Sequence, residues 1–230
     1  MEDRYYAQSH AGVQSFIARV FGWMSFALVL TGGTAYYVYA NEALRNMILG
    51  SRMGFMVLVL LQLGLVVGLS AAITKIKSST AITLFLLYAV VTGMTLSSIF
   101  VVFKAPSIAA TFFVAAGMFA FMAIYGLVTK NDLTSMGSFL FMMLVGIIIA
   151  SLINMFVQSA AFNLVIAIIG VVVFAGLTAF DIQKIKEFAK YANTEEGPAA
   201  NIAVLGALQL YLDFINLFLH LLTIMGDRKK

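Results

Sequence analysis

The sequence predicts an all-α membrane protein of seven transmembrane helices, with the last helix central. Three observations carry this. First, 62% of the 230 residues are hydrophobic and only 10% are charged, with a mean hydropathy of +1.01. A soluble domain needs roughly 25% charged residues to make its surface. Second, runs of about 20 apolar residues, the length that spans a bilayer, recur seven times. Third, the last run alone carries a stripe of polar side chains, which belongs against other helices or water rather than lipid.

The runs in order are Val20–Ala40, Met53–Ile73, Ala81–Phe103, Ser107–Val128, Leu133–Phe156, Asn163–Ile182 and Ile202–Met225. The first is entered past Arg19 and Trp23 and left through Tyr36, Tyr37 and Tyr39, aromatics suited to both interfaces. The second contains Gly64-x-x-x-Gly68 and the amide Gln62. These glycines are read as permitting close packing inside the bundle. Gln62, Asn154 and the cluster Thr92, Thr95, Ser97 and Ser98 are read as interhelical hydrogen-bonding groups. Residues 1–19 form an N-terminal segment, 20–226 the transmembrane domain and 227–230 a tail. The longest connection is Glu187–Asn201, polar and broken by Gly and Pro.

Seven spans place the two ends on opposite sides. Lysine and arginine number eight on the N-terminal side and six on the other, so the positive-inside rule puts the N-terminus in the cytoplasm. The N-terminal stretch lacks a short apolar core with a small-residue cleavage site, so the first span is expected to direct insertion. There is no cysteine, which excludes disulfides, thiolate metal sites and cysteine nucleophiles. The net charge of +4 is scattered among loops. It points to anionic lipid headgroups as partners, and not to nucleic acid. A retinal protein needs a lysine inside the last span for its Schiff base, and none lies between Asn201 and Arg228.

Two carboxylates remain that hydropathy does not place in a loop. Asp181 closes the sixth run and Asp213 lies well inside the seventh. An aspartate near a helix centre costs about 2.5 to 3.5 kcal/mol on insertion, and such groups usually face a bundle interior or an aqueous path and have a partner. On the last helix Gln209, Asp213, Asn216 and His220 fall within roughly 60° of one face. If the two aspartates meet, they are expected to share one proton over some pH range and so to sense pH. Lys75 and Lys77, at the end of the second span, are candidate basic partners, and Lys184 follows Asp181 on the same helix. His220 is read as a packed interhelical histidine.

The stretches GLTAFDIQKIK at 176–186 and LGALQLYLDFINLFLHLL at 205–222 resemble the Bax inhibitor-1 (transmembrane Bax inhibitor motif) family, in its bacterial inner-membrane branch. Supporting stretches are LTGGTAYYVYA at 30–40, LLYAVVTGMTLSSIFVVF at 86–103 and SIAATFFVAAGMFAFMAIYG at 107–126. The resemblance implies six helices around a seventh and a pH-sensitive calcium leak controlled by an aspartate pair. Asp181 and Asp213 match the positions of that pair. It implies residence in the bacterial inner membrane as a multi-pass protein, with lipids, calcium or other cations, and membrane proteins as partners. Calcium prefers 6–8 oxygen ligands, so Asp181 and Asp213 are expected to bind it weakly, as conduction requires. No catalytic residue and no resident cofactor are expected.

Two other readings compete. An intramembrane aspartyl protease also places aspartates on two adjacent helices, but such enzymes carry Gly-x-Gly-Asp where this chain has Leu210-Tyr211-Leu212-Asp213. A non-transporting regulator of membrane stress or quality control needs none of this chemistry, and the residues leave it open.

Overall fold

A computed structural model describes residues 2–191 and 198–229, with side chains over 12–190 and 200–229. Eight helices make up these residues: α1 (Glu2–Ala40), α2 (Glu42–Leu49), α3 (Arg52–Ala72), α4 (Ser78–Val102), α5 (Ala105–Val128), α6 (Thr134–Val157), α7 (Ala160–Tyr191) and α8 (Pro198–Met225). All but α2 are long and apolar enough to cross a membrane. Without water to take up backbone N–H and C=O groups, a helix that bonds them internally is the form these runs adopt.

Several boundaries differ from the expected ones. The segment before the first span is already helical from Glu2. The connection at 41–52 contains α2, started by Asn41, whose side chain accepts from Leu44 N at 3.1 Å. Helices α7 and α8 run into the connection at 187–201 from both sides. The rest of that connection lies outside the described residues. The tail is fastened: Phe103 and Arg228 form an isolated antiparallel bridge, and Asp227 N donates to Ser107 Oγ.

The chain forms two compact units. The first contains Met1–Val102, Phe188–Tyr211 and Lys229; the second contains Phe103–Glu187, Leu212–Arg228 and Lys230. In the first, α1 lies against α4 so closely that a Cβ on Gly93 would stand 2.6 Å from Thr31 O. Thr31 Oγ1 donates to Ala89 O at 2.9 Å and lies 2.7 Å from the Tyr211 hydroxyl. The Thr31 hydroxyl proton is used on Ala89, so Tyr211 is the donor to Thr31. Phe85 and Tyr88 meet the Tyr211 ring edge-on. α3 joins α4 through Gln62 Nε2, which donates to Thr95 Oγ1 at 2.8 Å. Asn201 Nδ2 donates to Ile73 O and Ile76 O, closing the α3–α4 turn.

The expectation for Gly64 and Gly68 fails. Neither has a described atom within 4 Å of an added Cβ, so this pair does not pack inside the bundle. A small-residue pattern marks a face without saying which way it turns. Asn154 is also not an interhelical group: its Oδ1 accepts from Ser159 N and closes the α6–α7 turn, where Gln158 takes φ 55°. Ser97 and Ser98 donate to carbonyls of their own helix.

In the second unit, Phe112 and Phe119 of α5 meet Phe214 of α8, and Phe112 also meets Phe218. α5 and α6 approach α7 at glycines. A Cβ on Gly126 would lie 2.4 Å from Ala179 O, and one on Gly137 would lie 2.5 Å from the Phe180 ring. Of the seven apolar spans, the last is the most buried.

Candidate functional site

Asp181 and Asp213 come together within the second unit, close enough for their carboxyl groups to act on each other. α7 and α8 are long enough for the offset between the two positions to be taken up where they cross. Asp213 is buried, at 5% exposed, and Asp181 is partly accessible. The pair is therefore asymmetric: one carboxyl is buried and the other is partly accessible. Among the described residues, Asp213 Oδ2 is shielded from solvent and has no hydrogen-bond donor. A buried carboxylate oxygen without a donor is costly, and the neighbouring carboxyl supplies a donor only when it carries a proton.

The other expected residues divide. Lys184 acts electrostatically on Asp181 from one turn further along α7. Lys75 and Lys77 lie exposed after α3, in the first unit. Asn216 Nδ2 donates to Leu212 O of its own helix at 2.8 Å. His220 stacks on Phe174, with ring centroids 5.6 Å apart, and fills the space that Gly170 leaves: a Cβ there would lie 2.5 Å from the imidazole. Gln209 is half-buried on α8. The stripe thus supplies one titratable acid in contact with its partner, one amide bonded to its own helix and one packed histidine.

Two groups escaped the sequence reading. Tyr211, fully buried two residues before Asp213, looks in the sequence like one more large apolar residue. Gln183, two residues after Asp181, bonds the α5–α6 turn with both ends of its amide. The signal for Gln183 was its helical position, on the opposite side of α7 from Asp181.

As for metals, no cluster of three or more His, Asp or Glu side chains exists among the described residues. Two carboxyl groups provide at most four oxygens against the 6–8 that calcium takes.

Fold and site together define a polytopic helical membrane protein with a carboxyl pair, one member buried, between its last two spans. Residues 13–230 match the family model described as Inhibitor of apoptosis-promoting Bax1. The chain belongs to the Bax inhibitor-1 family. It is 46% identical to "Inner membrane protein YbhL" of Escherichia coli, over 96% of this chain and 95% of that protein. It is 48% identical to an uncharacterized protein of Borreliella burgdorferi, over 93% and 92%, and 38% identical to the uncharacterized protein RP147 of Rickettsia prowazekii, over 95% and 92%.

Proposed function

We propose that this protein is a pH-sensitive cation leak of the bacterial inner membrane, with calcium as a permeant ion and the Asp181–Asp213 pair as its gate. The observation that supports this most is the contact between a sealed carboxyl and a partly accessible one. With one proton between them the pair holds α7 and α8 together. Without it, two like charges face each other in a medium of low dielectric, where their repulsion is strong. Separation or cation entry relieves the repulsion. The cation is held weakly, so it can leave.

In this reading α8 is the central helix, the N-terminus is cytoplasmic and the protein catalyses no reaction. The name of the Escherichia coli relative supports the inner-membrane location. Proteolysis by the pair is disfavoured, because Leu210 and Tyr211 beside Asp213 are both 0% exposed and leave no room for a substrate backbone.

The test is reconstitution of the purified protein into liposomes loaded with a calcium dye, with flux followed across the acid-to-neutral range. Wild type should show pH-dependent flux, and Asp213→Asn should flatten its pH dependence, because an amide keeps the shape without titrating. No flux at any pH would replace the leak with the non-transporting regulator.

A further inference from the structure

The face of α7 turned away from Asp181 is gripped by a single element. Taking Asp181 as 0°, Ala179, Gln183 and Lys186 point to about 160°, 200° and 140°, so all three lie opposite the carboxyl. Each of them meets the α5–α6 hairpin. Ala179 O faces Gly126, where a Cβ would lie 2.4 Å away. Gln183 Oε1 accepts from Leu133 N at 2.9 Å, and its Nε2 donates to Asn131 O at 2.8 Å. Lys186 Nζ donates to Leu127 O, in the last turn of α5. Gly176, at about 220°, receives Leu140 of α6. Helix α7 is thus supported from behind along the length that carries Asp181 in front.

Gln183 is the most directional of these contacts. Its amide uses a donor and an acceptor on one turn, so it fixes both the height and the rotation of α7. The turn is itself stiffened, because Asp132 Oδ1 accepts from both the backbone and the hydroxyl of Thr134. The helices of the hairpin, α5 and α6, contain no charged residue. The turn brings Lys130 and Asp132, both exposed. The charged groups that act on Asp181 itself are Asp213 of α8 and Lys184 of its own helix.

We infer that the α5–α6 turn is a backstop for α7, and that Gln183 is the positioning residue through which it holds Asp181 against Asp213. The role in gating rests on the function proposed above; the geometric role does not. Losing the Gln183 bonds frees α7 to rotate or slide, and the carboxyl pair loosens without either acid being altered.

The chain has no cysteine, so Asp181→Cys with Asp213→Cys can form only one intramolecular disulfide. The rate of its closure by a mild oxidant, in the full chain in lipid, reads the contact independently of titration. Adding Gln183→Met should slow closure roughly tenfold, as expected for the loss of one partly buried and one exposed hydrogen bond that favour the closed arrangement. Gln183→Glu keeps the acceptor for Leu133 N and should fall between. Asn201→Ala removes a comparable stitch at the α3–α4 turn and should leave closure unchanged. Closure in Gln183→Met as fast as in its parent overturns the inference, and so does equal slowing by Asn201→Ala, which would mean general loosening. In the chain with both aspartates, Gln183→Met should shift the midpoint of flux against pH. A wild type without pH-dependent flux sinks the leak proposed above, and the closure rates still decide the backstop.

Discussion

Asp181, about two thirds of the way along α7, and Asp213, near the middle of α8, lie close enough for their carboxyl groups to act on each other. The sealed member, Asp213, has one oxygen without a donor among the described residues. The partly accessible member is the one that can exchange a proton with its surroundings. In the proposed gate, a change of protonation at Asp181 reaches Asp213 through one contact.

Asp181→Asn should reproduce the protonated pair at every pH. The amide donates to the Asp213 carboxylate, so like-charge repulsion never develops and α7 and α8 stay together. In liposomes the variant should hold the flux that wild type shows with its pair protonated. Wild-type-like pH dependence in this variant would assign Asp181 to the membrane boundary alone.

Tyr211→Phe and Thr31→Val should destabilise the fold unequally. The phenol donates to Thr31 Oγ1 and Thr31 donates to Ala89 O. Removing the phenolic oxygen loses one bond and leaves only a spare acceptor on Thr31, at a cost of about 1 kcal/mol. Removing the Thr31 hydroxyl strands the buried Tyr211 donor and takes a second donor from the Ala89 carbonyl, which keeps its helical bond, at a cost of about 2 to 3 kcal/mol. Thermal unfolding in one detergent, with the two variants ranked against wild type, checks the order. The reverse order would mean that the bond runs in the other direction.

What the sequence made legible, and what it hid, follow from how each feature is encoded. The seven spans are written locally, as runs of apolar residues, and all seven appear. The stripe on the last helix is also local, since Gln209, Asp213, Asn216 and His220 share a face by helical arithmetic. Asp181 looked like a boundary residue because Lys184 and Lys186 follow it, yet α7 continues to Tyr191. Those lysines have work on the helix, Lys186 on the carbonyl of Leu127. Features that need a distant partner were not legible. Nothing near Tyr211 names Thr31, 180 residues away, and nothing near Gln183 names Asn131. Gly64-x-x-x-Gly68 and Gly126 are equally small, but only Gly126 has another backbone against it.

Gly126→Val should be among the most damaging single changes in the second unit. Its Cβ would lie 2.4 Å from Ala179 O and 3.1 Å from Ile182 Cβ, and a backbone carbonyl inside a helix has nowhere to go. Either α5 withdraws from α7 or the fold is lost. Overpacking of this kind costs about 1 to 3 kcal/mol or more. Gly64→Val has open space around it and should leave thermal stability nearly unchanged. A comparison of the two melting temperatures in the same detergent is the check.

Asp132 gives a pH prediction that does not depend on the pair. It lies in the α5–α6 turn, outside the apolar spans. Its Oδ1 accepts from Thr134 Oγ1 at 2.6 Å and from Thr134 N at 2.9 Å. These bonds, the hydroxyl first, hold its carboxyl below the ordinary value of 3.8, because they favour the charged form. A group whose pKa is lower in the folded state stabilises the fold fully above the ordinary value. That contribution is lost as pH falls through the folded value, so it is constant at neutral pH and disappears only in acid. Asp132 is fully exposed to solvent, and its effect on the whole fold is small beside its effect on the turn. Thr134→Val removes the stronger of the two bonds and keeps the backbone one, so the Asp132 pKa should rise part of the way back toward 3.8. Carbon-13 titration of labelled aspartate carboxyls in detergent micelles reads this directly. If the Asp132 resonance titrates identically in the two proteins, the Thr134 hydroxyl does not hold the start of α6.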